Sequence, residues 1–205
     1  MKEHPALAVL EFAEIAVGIV ATDALLKRSP IALLRCGTIS RGRFLTLIAG
    51  TAAAVEEACD EGLFHGGGSV LDHVLLADVH PQLYDAILGQ RRPIGPGSLA
   101  IVETSTVSSI VRAAELALKG TPVDLIEIRL GDTGLSGKGL AVVHGELHDV
   151  EAAVEIASAV LAGSGAAPGF RIIPAPHEAL AVQFADGTSF AAAPLAELDG
   201  EKGSS

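Results

Sequence analysis

Tryptophan is absent from the 205 residues, tyrosine and methionine occur once each, and there are only six phenylalanines. A core without large rings must be assembled from Ala, Val, Leu and Ile, which suits thin layers in close contact. The two cysteines, Cys36 and Cys59, are too few and too far apart for a disulfide framework or a zinc spacing. Both are expected to be small buried apolar residues. Charge is scarce too. Charged side chains make up 19%, and 14 basic against 25 acidic residues leave a net charge of −11. An acidic chain so poor in aromatics is not built to bind nucleic acid. The opening segment MKEHPALAVLEFAEIAVGIV is interrupted by Glu11 and Glu14, with Asp23 soon after. It is neither an export signal nor a membrane span, so a cytoplasmic location without a membrane partner is expected.

What is present is a globular composition, 49% hydrophobic, in a length that fits one large domain or two small ones. The chain also repeats itself. LAVLEFAEIAVGIVATDALLKRSP from Leu7 aligns with LAIVETSTVSSIVRAAELALKGTP from Leu99, an offset of 92 (99 − 7). Glu11 then falls on Glu103, Ile15 on Val107, Ile19 on Val111, Asp23 on Glu115, Lys27 on Lys119 and Pro30 on Pro122. After three extra residues in the second copy the offset becomes 95, so that Gly42 meets Gly137, Arg43 meets Lys138 and Gly50 meets Gly145. VLLADVHPQL around His80 matches IIPAPHEAL around His177. So long a period marks two copies of one domain and not a solenoid.

Each copy reads β-α-β-β-α-β followed by a short helix. In the first, residues 6–12 form an apolar strand, and Ile15, Ile19, Thr22 and Leu26 recur at helical spacing up to Pro30. Strands are expected at 31–36 and 43–49 around a Gly-bearing loop, then a helix over 51–61 stopping at Gly62. A strand near 70–77 and a helix from about 80 complete it. The second copy places strands near 98–104, 123–130, 138–144 and 169–173. This order is ferredoxin-like, an α/β (α+β) fold used twice. The first domain is expected over residues 1–90 and the second over 96–186. A Gly/Pro-rich linker over 89–97 joins them, and a loose tail spans 187–205.

These pieces carry a family likeness. DALLKRSP, TISRGRFLTLIAG and VLLADVHPQL in the first half, with VETSTVSSIVRAAELALKG, GLSGKGLAVVHGELHDVEAAVEIA and IIPAPHEAL in the second, occur in order. Together they resemble the shell domains of bacterial microcompartments, in the standard and not the permuted arrangement, over residues 6 to about 184. The resemblance implies a homotrimer, a pseudohexamer of six similar domains around one axis. Such tiles would join each other and other shell proteins, hexamers and pentamers, around enclosed enzymes. No chemistry is required of the protein, and no cofactor is expected.

The resemblance also implies site residues. The loop between the second and third strands lines the central pore, giving Thr38, Ile39, Ser40, Arg41 and Gly42, with Arg43 beside them. Thr133, Gly134, Leu135, Ser136, Gly137 and Lys138 are their counterparts. Some relatives carry a cysteine in the first loop that holds an iron–sulfur cluster at the axis. Ser40 matches that position, and its neutral hydroxyl is a poor cluster ligand, so the expectation is no cluster and an open polar pore for small metabolites. Arg41 and Arg43 would favour anions there, or else pair with acidic neighbours at a contact. Lys27 and Lys119 match a lysine at the tile edge. His80 and His177 sit by that edge, in segments lacking the arginine that relatives often carry.

Enzyme motifs do not survive inspection. GDTGLSGKG over 131–139 has Asp132 and Gly139 where a P-loop needs glycine and Ser or Thr. His65-Gly66-Gly67-Gly68 looks like an esterase oxyanion loop, but no G-x-S-x-G elbow accompanies it. His144 and His148 are separated by Gly145 at a strand-to-helix change, which spoils a helical metal pair. A trimeric, ferredoxin-like, small-molecule-binding regulator is the alternative function.

Overall fold

Ala6–Phe12 (β1) has all seven residues buried, because both faces and both edges of the strand are covered. It pairs antiparallel with Arg43–Gly50 (β3) on one side and with Val70–Leu76 (β4) on the other. Leu33–Ile39 (β2) adds to β3, giving the order β2-β3-β1-β4. The alternation of side chains along β1 divides its apolar run between two cores. Ala8, Leu10 and Phe12 meet Ala21 and Leu25 of α1 (Ile15–Arg28) and Val55, Ala58 and Cys59 of α2 (Ala52–Gly66). Leu7 and Val9 lie in a cluster with Leu83 and Ile87 of α3 (Pro81–Ile87) that continues into the second domain through Val111, Leu118 and Leu125.

The second copy repeats the plan. β5 (Ser98–Thr104), α4 (Val107–Gly120), β6 (Asp124–Leu130), β7 (Gly139–Gly145), α5 (Leu147–Leu161), β8 (Gly169–Ile173) and α6 (Glu178–Gln183) follow in order. Their sheet order is β6-β7-β5-β8. The computed structural model describes residues 5–162 and 169–195.

Several expectations need correction. Strand β2 starts and ends later than expected, so that Thr38 and Ile39 are ladder residues opposite Phe44 and Arg43. Cys36 is exposed on that strand, while Cys59 is buried. Helix α2 runs through Gly62 to Gly66. Glycine at 62 is a packing choice and not a stop, since a Cβ there would lie 2.8 Å from Leu10 Cδ2. The stop falls at Gly67, which adopts φ 48° as the C-cap. Within the expected tail, Phe190 and Leu195 are almost fully exposed, and hydrogen bonds tether the segment to the second domain. Thr188 N donates to Glu127 Oε2 at 3.1 Å, and Gln183 Nε2 to Pro194 O at 2.8 Å. Residues 196–205 lie outside the described residues.

Candidate functional site: the paired loops and the joint between domains

The β2–β3 connection is only a 3-10 turn, Ser40–Gly42. Closing so tight a hairpin puts two successive residues in the left-handed region, Arg41 and Gly42, both at φ 70°. Glycine takes that region freely, whereas a side-chain-bearing residue is strained there by about 1 kcal/mol. The β6–β7 connection, residues 131–138, is longer and contains four left-handed residues, Gly131, Gly134, Ser136 and Gly137. A residue not singled out in the sequence, Arg129, holds its base. The guanidinium grips both carboxylate oxygens of Asp132, at 2.8 and 3.1 Å, and donates to Thr133 O at 3.1 Å. This forked arrangement is what arginine supplies and lysine does not.

The two loops touch. Ser40 N donates to Gly131 O at 3.2 Å, and Ser40 Oγ to Asp132 O at 2.9 Å. Ser40 is therefore a clasp between the loops and not a free hydroxyl, and a hydroxyl donating to a carbonyl has none of the character of a metal-binding thiolate. Arg41 is exposed. Arg43 is not beside it in any functional sense. Its Nη1 points into the domain joint and donates to Glu11 Oε1 at 2.7 Å, Ser105 O at 3.1 Å and Gly137 O at 3.1 Å. Of the two readings for Arg43, pairing with an acidic neighbour at a contact is the one the geometry supports.

That joint is polar at its centre. Glu11 is fully buried. Its other oxygen, Oε2, accepts from Val107 N at 2.8 Å and so caps the first turn of α4 from the opposite domain. Burial raises the Glu11 pKa above its ordinary value, against the lowering effect of the Val107 N–H and of Arg43. Asp72 adds a second carboxylate, accepting from Ser109 Oγ at 2.7 Å and also from the Thr106 hydroxyl. Farther along α4, Arg112 donates to His73 O. At its end, Lys119 pairs with Glu115 Oε1 at 2.6 Å and donates to Asp78 O, also at 2.6 Å. Glu115 Oε2 accepts from His80 N at 2.9 Å. The structure thus brings two expected edge residues, Lys119 and His80, together across the joint within one chain. Sequence pattern gave no sign of Glu11 and Asp72 as joint residues, because a lone acid in an apolar strand has no signature of its own.

Lys27 is paired with Asp23 one turn back, on an exposed face. His80 and His177 have the same local job. Each Nδ1 accepts the N–H two residues on, from Gln82 at 3.3 Å and from Ala179 at 3.2 Å, and so begins α3 and α6. His144 Nε2 lies 3.0 Å from Gly95 O and fixes the linker. The ladder edges β2 and β6 face an open cleft of about 780 Å³, lined by Arg35, Cys36, Arg91, Glu127 and Arg129 among others. Glu127 and Arg91 pair there at 2.7 Å. Among the described residues no cluster of three or more His, Cys, Asp or Glu is placed to hold a metal ion.

Comparison with known proteins accounts for the doubled architecture. A family model described as the BMC domain matches residues 6–79 and again 98–176. The bacterial microcompartment shell protein PduT of Citrobacter freundii is 34% identical over 182 residues, which are 89% of this chain and 98% of that protein. A solved microcompartment protein of Desulfitobacterium hafniense is 33% identical with a TM-score of 0.75, covering 86% of this chain and 98% of its own. A double-ringed trimeric shell protein of the RMM microcompartment shares the fold at 17% identity, with a TM-score of 0.58 over 77% of this chain and 83% of that one. With both halves matched by one domain model, the chain belongs to the BMC-domain family of bacterial microcompartment shell proteins, structural components and not enzymes.

Proposed function

We propose that three copies of this chain close head to tail into a pseudohexameric tile of a microcompartment shell. The two loop types would alternate around a central hole that passes small metabolites. The observation that carries this is the Ser40 clasp. The loops of the two domains lie side by side and hydrogen-bonded, as neighbours around an axis must, and a heterologous contact repeated with the same rotation generates a ring. In this reading Thr38, Ile39, Ser40, Arg41 and Gly42 alternate with Gly134, Leu135, Ser136 and Gly137 near the hole. The lysine-and-histidine clusters, Lys27 with His177 of the next copy and Lys119 with His80, lie toward the tile edge. Hexameric and pentameric shell proteins are the partners across it.

Electron microscopy of concentrated protein tests the reading, together with the mass in solution. Sheets or rolled layers built from trimers support it, and replacing Lys27 and Lys119 by Glu should abolish layers while leaving trimers. The open cleft between β2 and β6 keeps the regulator in view as the competitor. Discrete trimers that never form layers and bind a metabolite tightly would decide for it.

A further inference from the structure

The longer of the two loops takes its support from the end of the chain. Within residues 131–138, Leu135 N donates to Asp132 O at 3.2 Å and Lys138 N to Leu135 O at 2.9 Å. Ser136 stands at φ 51°, a conformation that a side-chain-bearing residue keeps only where its surroundings over-determine it. Those surroundings begin on β6, the edge strand of the second sheet. Glu127 and Arg129 are two residues apart on it and so point to one face. Thr188 bridges them. Its N–H donates to Glu127 Oε2 at 3.1 Å, and its Oγ1 accepts from Arg129 Nη1 at 3.2 Å.

The segment carrying Thr188 is itself pinned. Arg91, in the linker after α3, donates from Nη2 to Phe184 O at 2.9 Å and pairs through Nη1 with Glu127 Oε1 at 2.7 Å. Gly187, buried at φ 128°, lets the backbone pass so close that a Cβ there would lie 3.0 Å from Glu127 Oε1. Arg129 is thereby held at both ends of its guanidinium. Nη1 is on Thr188, Nε and Nη2 hold the Asp132 carboxylate, and Nη2 also reaches Thr133 O. The Asp132 carbonyl in turn accepts the Leu135 N–H within the loop and the Ser40 hydroxyl from the first domain. An unbroken run of contacts leads from the C-terminal segment through Arg129 to both loops. In the first copy the offset of 92 puts Arg35 and Gly37 at the positions of Glu127 and Arg129 (127 − 92 and 129 − 92). A glycine has no side chain with which to grip a loop, and the three-residue turn there calls for none.

From these contacts we infer that Thr188, acting through Arg129, is a positioning residue for the 131–138 loop, and that the C-terminal segment is a brace that sets the form of that loop. A guanidinium whose outer nitrogen is fixed cannot swing away from Asp132, so the fork on the carboxylate keeps its geometry. Without the Thr188 acceptor the fork can pivot, and the Asp132 carbonyl, with its two donors, moves with it. The brace lies within one chain and does not depend on ring closure. Its consequence for the hole, that the end of the chain shapes the rim, rests on the ring proposed above.

Hydrogen–deuterium exchange of the full-length protein tests the brace, with mass photometry on the same samples. Thr188→Val is nearly isosteric, keeps the N–H that Glu127 accepts and removes only the acceptor for Arg129. Thr188→Ser keeps that acceptor. The expected result is exchange about tenfold faster over 131–138 in the Val variant, the size of one hydrogen bond to a charged group. A smaller rise should appear at 38–42, with wild-type rates elsewhere in the chain and throughout the Ser variant. Unchanged exchange over 131–138 in the Val variant, an equal rise in the Ser variant, or a rise spread evenly over the whole chain overturns the brace. A wild-type chain that stays monomeric overturns the ring, while the exchange pattern of the two variants still decides the brace.

Discussion

Replacing Arg43 by Met isolates the charge at the centre of the domain joint. The substitution keeps a flexible apolar stem but strands Glu11, which is fully buried and keeps the Val107 N–H as a hydrogen-bond donor. Removing one member of a buried ion pair costs about 3–5 kcal/mol, because the remaining charge stays desolvated. For a chain of this length that is a fall in Tm of roughly 6–20 °C. The pH dependence gives the sharper test. The Glu11 pKa is already raised in the folded protein by burial, so its ionised form is the disfavoured one. A carboxyl with a raised folded pKa contributes most below its unfolded value, and that contribution is lost as pH rises through the folded pKa. Without Arg43 the folded pKa climbs further. The deficit of Arg43→Met relative to wild type should thus be largest near pH 7.5 and shrink toward pH 5. Adding Glu11→Gln to the variant, which removes the charge and keeps an acceptor for Val107 N, should recover most of the loss at pH 7.5. Thermal melts of the two variants and wild type at both pH values decide. A deficit that is the same at pH 5 and 7.5, or one the double variant fails to relieve, would refute the reasoning.

Two other outcomes follow from packing and exposure. Gly62→Ala adds a methyl that meets Leu10 Cδ2 at 2.8 Å and Leu25 Cδ2 at 3.1 Å. Despite alanine's better helix propensity it should cost about 1–3 kcal/mol in thermal or urea unfolding, the usual range for overpacking. In a thiol assay Cys36, exposed on β2, should react readily. Cys59, buried and with its pKa pushed up to about 11, should stay protected until the protein unfolds.

The doubled domain and the strand order were legible because repetition and hydrophobic period are properties of the chain itself. The limits of that legibility show at particular residues. Thr38 and Ile39 read as loop because Gly37 precedes them and Gly42 follows, yet the hairpin closes in three residues and the ladder takes them both. Gly62 read as a stop because glycine usually ends helices, whereas the stop came where φ turned positive, at Gly67. The clasp that Ser40 makes leaves no sign in the sequence because its acceptor, Asp132 O, lies 92 residues away. For Arg43 the sequence leaves two readings open for the same reason. Its partners Glu11, Ser105 and Gly137 are brought together only by the docking of two domains, and no local pattern encodes that.

In the proposed ring the contact inside the chain and the contact between copies would differ in chemistry, and the difference has a physical logic. Inside the chain, the linker after α3 holds the domains at an effective concentration in the millimolar range, so that contact need not supply affinity. It can carry a buried carboxylate whose desolvation outweighs its partners, along with Asp72, Ser109 and Arg112. Such groups fix geometry more than they stabilise, since each must meet its donor or acceptor or remain unsatisfied. A contact between separate copies has no tether and must overcome the loss of free translation and rotation. The positions equivalent to Ser108, Ser109 and Arg112 are Ala16, Val17 and Val20 on α1, and Phe170 is the repeat equivalent of His73, whose carbonyl Arg112 reaches. Exchange of polar for apolar groups at just those positions is what the difference in tethering would demand of the proposed ring. The polar seat of the first domain is already filled by the chain's own α4, whose Val107 N–H and Ser109 hydroxyl satisfy Glu11 and Asp72, so a symmetric pairing of two first domains through that seat is closed off and the proposed head-to-tail arrangement is favoured.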